Sequence, residues 1–268
     1  MSDVTFQNTE LPDFLELKNV TQRYPDGNVV IENMNLLIED EPNIGEFVVI
    51  LGMSGCGKST VLRYFSGLQK PTSGEVLVYG KPRVDGDAIS MVFQQYSSPH
   101  FYTVLTNVML PLIFKGVPKK EAKERAMEII KAVGLEGHEN KYAQYPRLSG
   151  GQLQRVAIAR SLIANPKMIL MDEPFGALDI YIRSGMQLML MDIWQRLQST
   201  VVFVTHDVSE AVFLGRHVYL MGGKPAKLIE KVDINLPYPR TIATKRTPQF
   251  TRLVGDIEDL VLTKHSVG

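Results

Sequence analysis

The chain has 268 residues, 44% apolar and 22% charged, with 29 basic against 29 acidic side chains and a single cysteine. That length is ample for a buried core, the even charge balance argues against a nucleic-acid binder built on general basicity, and a lone thiol excludes an internal disulfide and suits a reducing compartment. The start of the chain lacks a basic-then-apolar leader and no run approaches the roughly 18 apolar residues of a bilayer span, so any membrane role is expected to run through a partner.

Residues 1–10 read as a loose lead-in. Strand-like segments at 14–24 and 29–38 flank the turn signal Pro25-Asp26-Gly27. An acidic loop, 39–45, leads to the apolar run Phe47-Val48-Val49-Ile50-Leu51. Directly after it comes Gly52-Met53-Ser54-Gly55-Cys56-Gly57-Lys58-Ser59-Thr60, a full match to G-x-x-x-x-G-K-[ST], and then a helix-like stretch from Thr60 to Leu68. Strand, glycine loop and helix in that order are what a phosphate-binding P-loop requires. Its backbone N–H groups converge on one concavity, and the following helix adds its positive end. Lys58 is placed to reach the β- and γ-phosphates and Ser59 to ligate Mg²⁺, so the chain is expected to bind a nucleoside triphosphate. Cys56 reads as a small loop residue whose thiol, close to phosphate, would make binding sensitive to alkylation.

Further strands are expected at 75–79 and 90–93, with a turn region at 81–87 between them. From 103 to 164 the pattern turns helical. Ala122, Ala126, Ile129, Ile130 and Val133 recur at helix spacing after Pro118. Leu148-Ser149-Gly150-Gly151-Gln152 then opens a helix-like segment. Its exposed N–H groups and hydroxyl could hold an anion, although by itself a plain N-cap is the simpler reading.

Strand–helix alternation resumes at 168–171 and 201–204, with a long helix at 179–197 between them. Met168-Ile169-Leu170-Met171-Asp172-Glu173 ends four apolar residues in two acids. Beside a P-loop this sets both carboxylates at the C-terminal edge of the sheet, where ligands bind. Asp172 would hold Mg²⁺ through water, and Glu173, facing another way, would polarise a water for in-line attack. The other reading is an exposed acidic pair. A strand pair at 218–221 and 227–232 and an amphipathic stretch at 249–262 complete the chain.

In joint order, the P-loop at 52–59, Leu-Ser-Gly-Gly-Gln at 148–152 and Asp172-Glu173, with Gln94 between and Asp179 and His206 after, resemble the nucleotide-binding subunit of ABC transporters from residue 14 to 221. The resemblance implies an α/β fold: a P-loop NTPase core with a RecA-like sheet and an antiparallel β subdomain, plus an inserted α-helical subdomain. It divides the chain into a core lobe (1–95 and 166–235), a helical signature subdomain (96–165) and a tail (236–268). It further implies ATP and Mg²⁺ as ligands and a head-to-tail dimer, each ATP lying between one P-loop and the partner's Ser149, Gly150, Gly151 and Gln152. Tyr24 would stack on adenine; Gln94 would meet Mg²⁺ or the attacking water; Asp179 would face the dimer interface; His206 would sit near the γ-phosphate. Taken alone, a glutamine after a strand is usually a plain surface residue, a single histidine at a strand end is more often structural, and the other reading of Tyr24 is a strand-end tyrosine packed on the core.

Asp172-Glu173-Pro174-Phe175-Gly176-Ala177-Leu178-Asp179, Asp192-Ile193-Trp194, Thr205-His206-Asp207-Val208-Ser209-Glu210-Ala211 and Leu236-Pro237-Tyr238-Pro239-Arg240 are similar to importers of the nitrate, sulfonate and taurine type. Ser97-Ser98-Pro99-His100-Phe101 departs from that pattern where the membrane subunit docks, which leaves the solute open. The resemblance thus implies a peripheral ATPase at the cytoplasmic face of the plasma membrane. It would work with permease subunits, a second ATP-binding subunit and, indirectly, a solute-binding protein, and without nucleic acid. An ABC exporter or lipid-transport ATPase, or a soluble ABC ATPase without a transport role, is the alternative.

Overall fold

The computed structural model describes residues 14–39, 45–83, 89–197 and 199–265. The expected lead-in at 1–10, most of the loop at 39–45 and most of the turn region at 81–87 lie outside the described residues.

Two sheets form the frame. The first is antiparallel, in the order β2 (Val29–Glu39), β1 (Phe14–Arg23), β4 (Ser73–Val78), β5 (Lys81–Pro82). The second contains β3 (Phe47–Gly52), β6 (Ser90–Val92), β7 (Met168–Asp172), β8 (Thr200–Thr205), β9 (His217–Gly222) and β10 (Lys227–Asp233), ordered β10-β9-β3-β8-β7-β6. All its described pairs are parallel except β9 with β10. β3, β7 and β8 are buried at every position, which is why they read as unbroken apolar runs rather than alternating ones. Their side chains nevertheless alternate between layers: Phe47, Val49 and Leu51 join one core cluster, Val48 and Ile50 the other. The second cluster holds α1 (Lys58–Ser66) and the inner face of the antiparallel sheet.

The first cluster gathers the remaining helices: α2 (Val104–Phe114), α3 (Lys119–Ala132), α4 (Gly150–Leu162), α5 (Ile180–Leu197), α6 (Val208–Leu214) and α7 (Pro248–His265). The helical pattern expected from 103 to 164 is therefore interrupted. Chain direction changes after α3, where Gly134 and Gly137 take φ of 68° and 78°, backbone that a helix cannot contain. The seven-residue α6 has no counterpart in the sequence reading. β9 is more than half of a small pair, since it lies parallel to β3 and extends the central sheet. The family's P-loop core, with its added antiparallel sheet and helices, is the fold observed.

Candidate active site

Gly52 closes β3 and Lys58 opens α1, so the loop between them must reverse tightly against the sheet. A Cβ on Gly52 would lie 2.5 Å from the Met221 carbonyl oxygen. Gly57 has φ 94°, and a Cβ there would press on Val30 and Ile31 at 3.3 Å. Both positions therefore need glycine, one for space and one for conformation as well. With Gly57 left-handed, α1 begins at Lys58, two residues before the predicted Thr60.

Lys58 is 3% exposed and its ammonium donates to the carbonyls of Gly52 and Met53, both at 2.9 Å. The Ser59 hydroxyl donates to Asp172 Oδ1 at 2.8 Å. An open cavity of about 400 Å³ lies over this loop. Ser54, Gly55, Gly57, Lys58, Ser59 and Thr60 line it, joined by Tyr24 and Val30 from the β1–β2 hairpin and by Gln94 and Glu173 from the sheet edge. Cys56 does not line it. Its sulfur is buried, 4.0 Å from the Met221 carbonyl, and burial pushes the thiol pKa up against the opposing pull of Lys58. A covered, protonated thiol is a poor nucleophile, which removes the basis for the expected sensitivity to alkylation.

Asp172 ends β7 and is 8% exposed. Burial raises its pKa, the Ser59 hydrogen bond opposes the rise, and the neighbouring Glu173 adds to it. Glu173 follows with φ 42°, a conformation that costs a non-glycine residue about 1–3 kcal/mol. Its N–H donates to the Val204 carbonyl at 3.0 Å, which holds the turn in place. The turned side chain has Oε1 3.5 Å from the Lys58 ammonium and Oε2 2.9 Å from His206 Nδ1. A proton on Nδ1 makes that second contact a hydrogen bond from imidazole to carboxylate. The His206 side chain is about half exposed, at 48%.

The structure thus brings Tyr24, the loop glycines, Ser54, Lys58, Ser59, Thr60, Gln94, Asp172, Glu173 and His206 to one edge of the sheet. It keeps the other predicted residues apart from that cavity. Ser149 caps α4: its Oγ accepts from the Gln152 N–H at 3.3 Å, and Gln152 Oε1 accepts from the Ser149 N–H at 2.9 Å. Gly150 and Gly151 form the first turn of α4, and Ser149 is exposed. Asp179 caps α5 through the N–H groups of Tyr181 and Ile182, both at 3.0 Å. The sequence does not single out Val30, whose one available signal is its place just after the Pro25-Asp26-Gly27 hairpin turn that carries Tyr24.

The arrangement is a glycine-lined cradle for anions with a buried ammonium at its floor. Next to the ammonium are two hard oxygen donors, Ser59 Oγ and Asp172 Oδ1, and a carboxylate backed by an imidazole. Oxygen donors of this kind suit a small divalent cation, and the Gln94 amide faces the same cavity. Cradle, paired oxygen donors and strand-edge carboxylates on a parallel sheet define a P-loop nucleoside triphosphatase.

Residues 31–176 match the ABC transporter family, and the chain belongs to that family. It is 46% identical over 242 residues to the nitrate import ATP-binding protein NrtD of Synechocystis sp., covering 87% of this chain and 88% of that protein. It is 39% identical over 232 residues to the aliphatic sulfonates import ATP-binding protein SsuB of Bacillus cereus, covering 84% and 86%. Among solved structures, the dimeric bacterial ABC transporter cassette MJ0796 superposes with a TM-score of 0.72 at 37% identity, covering 83% of this chain and all of that one. The chain is accordingly the ATP-binding, ATP-hydrolysing type of subunit of such a transporter.

Proposed function

We propose that this subunit hydrolyses Mg-ATP to drive import of a small anion, of the nitrate or sulfonate kind, through separate permease subunits. The observation that carries the chemistry is Glu173, held by its carboxylate oxygens between Lys58 and His206 at the rim of the P-loop cavity. Likeness to the nitrate and sulfonate import proteins supports the direction and the solute class.

In this reading Lys58 exchanges the Gly52 and Met53 carbonyls for β- and γ-phosphate oxygens, and Tyr24 takes the adenine face. Ser59, Asp172 and Gln94 hold Mg²⁺, which neutralises phosphate charge when bound. Glu173 accepts a proton as water oxygen bonds to the γ-phosphorus and the bond to the β–γ bridging oxygen breaks, giving ADP and phosphate. His206 keeps Glu173 oriented. The same reading assigns 1–95 and 166–235 to the core lobe, 96–165 to the signature subdomain and 236–268 to the tail.

Two copies would pair head to tail, each supplying Ser149–Gln152 and Asp179 to the other's nucleotide. Among the described residues no helix is long and apolar enough to cross a membrane. Likeness to the import ATP-binding proteins supports a peripheral place at the cytoplasmic face, with the permease seated near Gln94–Tyr102. A largely apolar groove of about 570 Å³ beside Tyr102, Pro111 and Phe114 favours that contact, and Phe101 and Phe114 are 62% and 82% exposed.

Glu173→Gln should keep ATP bound but not cleave it. We expect analytical ultracentrifugation with saturating Mg-ATP to show a stable dimer that wild type forms only transiently. A variant that stays monomeric counts against the composite site. The tagged variant should also retrieve a polytopic permease from solubilised native membranes; recovery of only ribosomal or DNA-bound proteins overturns the transport assignment.

A further inference from the structure

His206 is fixed by its neighbours in the chain, and those neighbours are tied to the C-terminal segment. Thr205, 2% exposed, donates its hydroxyl to Glu210 Oε2 at 2.6 Å and accepts the Asp207 N–H at 3.1 Å. Asp207 accepts the Glu210 N–H at 3.0 Å and pairs with Arg183 at 3.3 Å. Glu210 Oε1 accepts from Gln187 Nε2 at 2.9 Å, and Gln187 Oε1 accepts from the Lys245 ammonium at 2.6 Å. Glu210 and Gln187 are 5% and 2% exposed, so water does not compete for the links from Gln187 to Glu210 and from Thr205 to Glu210. Lys245 belongs to the short 3₁₀ helix Ile242–Arg246 and lies 4.4 Å over the Phe213 ring.

The Gln187 amide in this relay is held from both ends. An ammonium only donates, so the Gln187 amide must turn its oxygen to Lys245 and its NH₂ to Glu210. The Thr205 hydroxyl donates to Glu210 and offers its lone pair to the Asp207 N–H. Without Lys245 the Gln187 carbonyl loses its donor in a nearly dry site, and the amide that holds Glu210 is no longer anchored from the C-terminal segment. The nearest readjustment is at Thr205 and Asp207, the residues on either side of His206.

We propose that Lys245 is a positioning residue for hydrolysis: through Gln187, Glu210 and Thr205 it sets the His206 imidazole against Glu173, making the C-terminal segment part of the hydrolytic machinery. This rests on the reading of Glu173 and His206 given above.

The test compares the full-length chain with Lys245→Met, Lys245→Arg, Gln187→Met and His206→Ala. Misplaced catalytic groups cost up to about a hundredfold, and we expect Lys245→Met to lower kcat about tenfold while leaving KM for Mg-ATP within about twofold. Gln187→Met should reproduce the loss without touching Lys245, and Lys245→Arg, also donor-only, should restore most of it. The ¹⁵N-edited imidazole resonances of His206, one of five histidines in the chain, should move in Lys245→Met and return in Lys245→Arg. An unchanged kcat in Lys245→Met and Gln187→Met, or a fall in melting temperature with KM altered and the His206 signal unmoved, overturns the proposal. His206→Ala with wild-type kcat would instead overturn the reading of the site on which it stands.

Discussion

Asp172 shows how a site can be held at the expense of stability. Its pKa is raised in the folded chain, chiefly by burial. The folded state therefore binds its proton more tightly than the unfolded chain does, and stability falls as pH rises from the ordinary carboxylate value of 3.8 through the folded pKa. At neutral pH the ionised group destabilises, and it is retained where Ser59 and a cation can use the charge. Asp172→Asn keeps an acceptor for the Ser59 hydroxyl and removes the charge. We expect the nucleotide-free variant to melt above wild type at pH 7.5 in scanning calorimetry, the gap closing as pH falls through the raised folded pKa toward about 4, below which both carry a neutral side chain. Mg-dependent hydrolysis should be lost in the same protein. A lower melting point at pH 7.5 would show that the carboxylate is stabilised by its neighbours more than burial opposes it.

α6 is too short to be stable alone, and the structure supports it at both ends. Asp207 caps its start, and Arg240 receives its end. Arg240 Nη1 donates to the carbonyls of Val212, Phe213 and Gly215 at 3.1, 3.0 and 2.8 Å. Nη2 donates to Ile234 and Leu236 at 3.4 and 3.3 Å, and the guanidinium lies 4.2 Å over the Tyr238 ring, which packs on Trp194. A buried cation at a helix C-terminus, bonded to its free carbonyls, is favourable only while the fork geometry is intact. Arg240→Met strands those carbonyls in a dry site and should cost about 2–4 kcal/mol, read as a lower urea midpoint at unchanged slope. Arg240→Lys should recover little, because one ammonium cannot reach all five oxygens. The P-loop and the strands β3, β7 and β8 could be read in the sequence because each obeys a local rule: a glycine where φ or space demands it, an apolar run where both faces are buried. The gathering of Ser59, Asp172, Glu173 and His206 could be read because parallel strands present their C-terminal ends to one edge. α6 could not, since seven residues show no period. Nor could the partners of Arg240 and Lys245 on α5 and at the end of α6, which are distant in sequence and meet them only when the tail folds over α5 and α6, with Phe250 and Ile257 buried in the helical core. The sequence reading left that tail's place undecided.

One chain holds a complete P-loop cavity and a capped, exposed Ser149 that does not reach it. The head-to-tail pairing proposed above would let a second copy supply that Ser149 to the cavity, as a symmetric dimer can. The consequence can be tested without solving a complex. Lys58→Ala removes the ammonium of one half-site but leaves Ser149 intact, and Ser149→Arg blocks the other half-site but leaves the P-loop intact. Neither protein alone should hydrolyse ATP, since every site in its dimer carries one defect. Mixed in equal amounts, about half the dimers would be hybrids with one intact site of two, so activity should return to roughly a quarter of wild type if sites act independently. Specific activity of the mixture should also rise with protein concentration, because association is then part of the reaction. A mixture as inactive as its components at every concentration would mean that the halves are not exchanged between chains, and Ser149 would be left as the cap of α4 and nothing more.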